Sequence, residues 1–171
     1  MTLSDNVCMA AVQLGKVTMT EDRRRKTDTR GNEKGPVTLT VPSHPKYLYV
    51  VRSALYPILT DAGFGRKEAR RIILAVDEAC SNIIKHAYEG DHTKTITLTI
   101  TDAADRFTVR LRDYGKKADT AKIAPRDLED IRPGGLGTLF IGAAFDAVTY
   151  DTNQEQGTLL TLEKKKQQVN A

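Results

Sequence analysis

The stretch Ile96-Thr97-Leu98-Thr99-Ile100-Thr101-Asp102-Ala103-Ala104-Asp105-Arg106-Phe107-Thr108-Val109-Arg110-Leu111 reads as two strands around a turn. Ile96, Leu98 and Ile100 alternate with threonines, and Phe107, Val109 and Leu111 resume the alternation after the polar break at Asp102 to Asp105. Period-two patterning sends apolar side chains to one face and polar ones to the other, so the stretch predicts an antiparallel hairpin with one buried face. A single buried face needs a second layer to cover it.

The covering layer is legible upstream. Ile72, Ile73, Val76, Ala79, Ile83 and Ile84 recur at helical spacing and predict a long helix from about Arg66 to Tyr88. Leu48, Val51, Leu55, Ile58 and Leu59 make the stripe of another, from about Pro45 to Asp61, with Ser43 placed to cap it and Pro45 tolerated in the first turn. Pro57 conflicts with that helix and predicts a kink or break. Gly63-Phe64-Gly65 separates the two helices, and Val37, Leu39 and Val41 form a strand ahead of both, ending at Pro42.

Downstream of the hairpin, residues 116 to 134 are charged, contain Pro125 and Pro133, and predict a long loop of the length usually kept for function. Gly134-Gly135-Leu136-Gly137 then opens a short apolar helix through Phe145, and Ala147 to Tyr150 with Thr158 to Leu162 make a closing hairpin. The order predicts an α+β fold, a two-layer α/β sandwich whose mixed, mostly antiparallel sheet carries its helices on one face.

A chain of 171 residues with 40% hydrophobic content suffices for one core. Residues 1–36 change character twice and read as a disordered extension, residues 37–163 as the folded domain, and 164–171 as a basic tail. The net charge is +4, and the first 36 residues hold seven basic against five acidic side chains, so half the excess lies outside the folded domain. A nucleic-acid-binding face is thereby weakly supported, although Arg23-Arg24-Arg25-Lys26 leaves open a basic arm for an acidic partner. Cys8 and Cys80 suit a reducing compartment better than a disulfide framework. With no membrane-length apolar run and no secretory signal, the expectation is a soluble, cytoplasmic protein.

Three motifs carry the chemistry. Glu78, Asn82 and His86 stand four residues apart on the long helix, a polar stripe beside an apolar face. Burying a carboxylate and an amide without partners costs a few kcal/mol, whereas Mg²⁺ with a phosphate chain supplies partners, an amide oxygen being a hard ligand. The same spacing also suits a solvated helix face. Asp113-Tyr114-Gly115 follows the hairpin, where a carboxylate can accept from an exocyclic amine such as adenine N6; the tripeptide is equally a common turn. Gly134-Gly135-Leu136-Gly137 precedes a helix, so its N–H groups can face an anion, and it can equally serve as a hinge. It lacks the Lys-Ser/Thr of a P-loop. In combination the three supply a metal wall, a base pocket and a phosphate clamp.

This combination resembles the GHKL ATPase and kinase superfamily, and within it the anti-sigma factor serine/threonine kinases of bacterial stress and sporulation switches. Glu78-Ala79-Cys80-Ser81-Asn82 with Lys85-His86-Ala87-Tyr88 resembles the N box, Asp113-Tyr114-Gly115 the first glycine box, and Arg132-Pro133-Gly134-Gly135-Leu136-Gly137 the second. Gly157-Thr158 resembles the closing Gly-Thr, and the likeness covers about residues 37 to 163.

The resemblance implies a Bergerat-type ATP-binding fold using ATP and Mg²⁺, with Asn82 on the metal and Glu78 as the base that takes the acceptor serine's proton. It implies Asp113 on adenine beside Thr158 and Gly115, and Gly135 and Gly137 at the phosphates with Gly134 and Leu136 in the same string. The loop from Lys116 to Pro133 would be a lid bearing the cation Arg132, and Lys85 and His86 complete the helix pattern. The implied partners are a sigma factor, a STAS-type anti-anti-sigma substrate and a second copy of the chain, with no direct nucleic acid and no membrane. One departure stands out: many members have a second glycine two residues after the first, where this chain has Lys117. It leaves a second reading open, a nucleotide-dependent module that sequesters its partner with little kinase activity. A histidine-kinase catalytic fragment ranks lower, for want of a helix pair with a phospho-accepting histidine before residue 37.

Overall fold

A computed structural model describes residues 35–120 and 136–166. Five strands form one sheet: β1 (Val37–Pro42), β2 (Thr95–Asp102), β3 (Arg106–Arg112), β4 (Ala147–Asp151) and β5 (Leu159–Lys165), in the spatial order β1-β2-β3-β5-β4. Each described pairing is antiparallel, so the sheet has no parallel component among these residues. The β2–β3 register places Leu98 opposite Leu111 and Ile100 opposite Val109, as the alternation requires. Leu39, Val41, Ile96, Phe107, Leu160 and Leu162 join them on one buried face. The other face is lined with polar residues, with Thr38, Thr99, Arg110, Thr161 and Thr149 in one cross-strand row.

Helices α1 (Leu48–Asp61), α2 (Arg66–Asn82) and α3 (Leu136–Ala144) cover the apolar face. Val51, Leu55 and Leu59 from α1, Ile72 and Val76 from α2, and Ile141 from α3 are buried against the sheet. Each such side chain contributes about 1.5–3 kcal/mol. Helices α2 and α3 run antiparallel: Gly137 at the start of α3 abuts Glu78 near the end of α2, while Lys164 bridges Glu68 at the start of α2 (3.7 Å) to Asp146 just past α3 (3.2 Å).

The structure differs from the sequence expectations at four places. Ser43 caps no helix; its buried hydroxyl donates to the carbonyls of Asp91 (2.6 Å) and Lys94 (3.0 Å), and His44 Nδ1 instead accepts from Lys46 N–H (3.1 Å) over the 3₁₀ turn Pro45–Tyr47. Pro57 does not break α1, because it sits on the exposed side where the carbonyl it leaves unpaired, that of Ser53, meets solvent. The long helix stops being α-helical at Asn82 and ends in one π turn, Ile83–Ala87, closed by Tyr88 N–H on the carbonyl of Ile83 (3.0 Å). The basic run does not begin as a tail: β5 extends to Lys165, and Lys166 pairs with Asp102 (2.7 Å). The loop at 121–135 and residues 1–34 lie outside the described residues.

Candidate functional site

Where the C-terminal end of α2, the exit of β3 and the start of α3 converge, the fold leaves a cavity of about 510 Å³. Asn82 and His86 line it from the α2 side, Asp113 and Thr158 from the sheet, and Gly137 from α3. Ala79, Ile83, Ala87, Tyr150 and Leu160 supply apolar wall. A cavity with apolar wall and a buried carboxylate, that of Asp113, is suited to a heteroaromatic base carrying an amine.

Asp113 is 3% exposed, and its Oδ1 accepts from Gly115 N–H (2.9 Å). Burial pushes its carboxyl above the ordinary carboxylate range, while the N–H groups of Gly115 and Thr158 and the nearby Arg112 guanidinium pull the other way. A raised folded-state pKa means folding favours the protonated form, so Asp113 contributes stability at low pH that is lost as pH rises through its folded pKa. The ionised form is the stronger acceptor for an amine. Affinity for an adenine nucleotide is therefore expected to fall on acidification starting at a higher pH than an ordinary aspartate allows. Titrating ATP binding from neutral pH downward checks this, and Asp113→Asn removes that component.

Thr158, also 3% exposed, accepts from Ala118 N–H through Oγ1 (2.9 Å). Arg112 ties the same two segments together. Its guanidinium donates to the carbonyls of Asp113, Thr158 (3.2 Å) and Gln156 (2.6 Å) and lies 4.3 Å from the Tyr114 ring centroid. The Tyr88 hydroxyl accepts from Tyr114 N–H (2.9 Å) and donates to the carbonyl of Thr95 (2.6 Å). Arg112 was missed because strand alternation sends it to the open face of the sheet; only the convergence of β3 with the turn before β5 gives it three carbonyls.

Two glycines have geometric reasons. A Cβ on Gly115 would run into the main chain of Ala87, so its bareness serves close packing on the π turn. Gly157 has φ +69°, and a Cβ there would run into the carbonyl of Asp113.

Glu78 is half-buried and not in the cavity wall; its carboxylate lies against Gly137, one turn before Asn82. Lys85 is exposed and does not line the cavity. Leu136 begins α3, and Arg132, Gly134 and Gly135 lie outside the described residues. Among the described residues no three His, Cys, Asp or Glu side chains gather as a metal cage. A half-buried amide at a cavity wall does fit Mg²⁺ that takes most of its oxygen shell from phosphates and water. No described helix is long and apolar enough to cross a membrane.

Residues 41–164 match the histidine kinase-like ATPase domain family. The chain is 30% identical over 141 residues to the serine-protein kinase RsbW of Listeria monocytogenes serovar 1/2a, covering 78% of this chain and 90% of that protein. It is 27% identical to the RsbW of Halalkalibacterium halodurans, over 79% of this chain and 86% of the relative, and 29% identical to that of Staphylococcus aureus, over 78% and 89%. The solved structure of the RsbU and RsbW domains of Rv1364c from Mycobacterium tuberculosis shares the fold, with a TM-score of 0.55 and 17% identity over 77% of this chain. This chain spans about a third of that one, 32% of its length. The chain belongs to the histidine kinase-like ATPase family, in its branch of anti-sigma serine/threonine protein kinases.

Proposed function

We propose that this chain binds and inhibits a sigma factor and phosphorylates a serine or threonine on a STAS-type anti-anti-sigma protein, with ATP as donor and Mg²⁺ as its counterion. The observation that carries the reading is the convergence of Asn82, Asp113, Gly137 and Thr158 on one cavity, with the Glu78 carboxylate beside Gly137. A reaction that uses ATP fits a cytoplasmic protein.

Phosphoryl transfer asks for alignment and charge neutralisation more than for covalent chemistry. Asp113 and Thr158 hold the base, and the N-terminus of α3 at Gly137 faces the phosphates. Asn82 would hold Mg²⁺, which when bound would neutralise charge on the phosphate oxygens. Glu78, beside Gly137, is the carboxylate assigned to the acceptor hydroxyl that a second protein brings. It takes the hydroxyl proton as the new oxygen–phosphorus bond forms, while the bond to the bridging oxygen breaks and ADP leaves.

ATP binding with and without Mg²⁺ tests this on the wild type and Asn82→Ala. The wild type is expected to gain affinity with the metal, and the variant to lose that gain while keeping the metal-free component. An unchanged metal dependence in Asn82→Ala removes the amide from the metal shell. Capture of the partner protein without phosphate incorporation replaces the kinase reading with nucleotide-dependent sequestration.

A further inference from the structure

Lys117 stands in the cavity wall, at the place where many members of the resembled family carry a second glycine. The backbone shows why a side chain is tolerated there. Among the described residues other than glycine, Glu89 alone has a positive φ, so Lys117 occupies a conformation open to any L-residue, unlike Gly157. Its neighbours on both sides are pinned: Lys116 N–H donates to the carbonyl of Ala87 (2.8 Å) and Ala118 N–H to Thr158 Oγ1 (2.9 Å). The root of the side chain is therefore held at the wall, and a four-carbon stem remains free to extend.

The other charges of the wall are already committed. The Lys116 ammonium is paired with Glu89 at 2.5 Å, Asp113 accepts from Gly115 N–H, and Asp119 has a partner of its own. Lys117 makes no ion pair among the described residues, and its side chain is exposed. An ammonium at the wall of a cavity with nothing to neutralise is matched by an anion brought in by the ligand. The base of a nucleotide carries no anion; its phosphate chain does.

We propose that Lys117 is a ligand-binding residue whose ammonium meets the phosphate chain of the bound nucleotide, a contact that the glycine of the family motif cannot make. The inference rests on the nucleotide reading of the cavity, and its test separates the two. Calorimetric titration of the full-length chain with Mg-ATP, Mg-ADP and adenosine is run on the wild type, Lys117→Ala, Lys117→Gly and Lys117→Arg. Lys117→Ala and Lys117→Gly are expected to bind the phosphorylated ligands about tenfold more weakly with adenosine unchanged, and Lys117→Arg to retain most of the affinity. The salt dependence of ATP binding flattens in the two neutral variants. Circular dichroism confirms that the variants fold, as an exposed position allows. An ATP-to-adenosine affinity ratio equal in wild type and Lys117→Ala, or tighter ATP binding by Lys117→Gly, overturns the assignment of Lys117 alone. A wild type that binds no ATP overturns both.

Discussion

Glu78→Gln is expected to slow phosphoryl transfer by about 10²–10⁴-fold, the usual contribution of a positioned general base, while ATP affinity stays within about threefold. The carboxylate lies against Gly137 outside the cavity wall, so on the proposed mechanism its loss would deprive the acceptor hydroxyl of a proton acceptor and would leave the proposed nucleotide contacts of Asp113 and Thr158 in place. Glutamine keeps the shape and the hydrogen-bonding reach, which limits the change to basicity. Single-turnover phosphate incorporation into the STAS-type protein measures it, beside a binding titration on the same sample. Transfer at the wild-type rate removes Glu78 from the reaction; equal losses in binding and transfer make it part of the nucleotide site instead.

Gly157→Ala carries the largest expected cost to the fold. The residue has φ +69°, which costs an alanine about 1–3 kcal/mol, and its new methyl would run into the Asp113 carbonyl and Tyr114 Cα, both main-chain atoms that cannot swing aside. The total is expected near 3 kcal/mol or more, a fall in Tm of about 10 °C in a domain of this size, with ATP affinity lost as Asp113 shifts. Gly142→Ala is the control. Gly142 lies exposed within α3, a Cβ there meets nothing within 4 Å, and alanine should stabilise the helix by about 0.5–1 kcal/mol. Equal melting temperatures for the two variants would show that the turn before β5 adapts and that the close approach is not a constraint.

The layers were legible because each rests on a periodicity that a one-residue error would invert. Ile96, Leu98 and Ile100 cannot exchange faces with their threonines without exposing the core, so the pairing with β3 follows from the pattern. What escaped was decided by distant groups. Ser43 has the chemistry of a cap, but two carbonyls of a loop about fifty residues away claim its hydroxyl. The run Ile83-Ile84-Lys85-His86-Ala87 keeps an apolar pattern that an α-helix and a π turn both satisfy. That Asn82, Asp113, Gly137 and Thr158 would line one cavity was legible because each belongs to a short motif with its own chemistry. Arg112 was not, and Gly157 was marked only as a motif member without its reason, since both roles exist only once β3 and the turn before β5 meet. Pro57 taught the converse: a helix breaker on the wet side of a well-buried helix leaves nothing that water cannot satisfy.

The wide turn after Asn82 frees the Ala87 carbonyl to take the Lys116 N–H at 2.8 Å, which rivets the end of α2 to the strip of chain that bounds the cavity on its far side. Opposite walls thus share one tether. The strip beside Asp113 and the stem that carries Asn82 are thereby fixed to one another, so the spacing between the two sides of the cavity is set by this one contact.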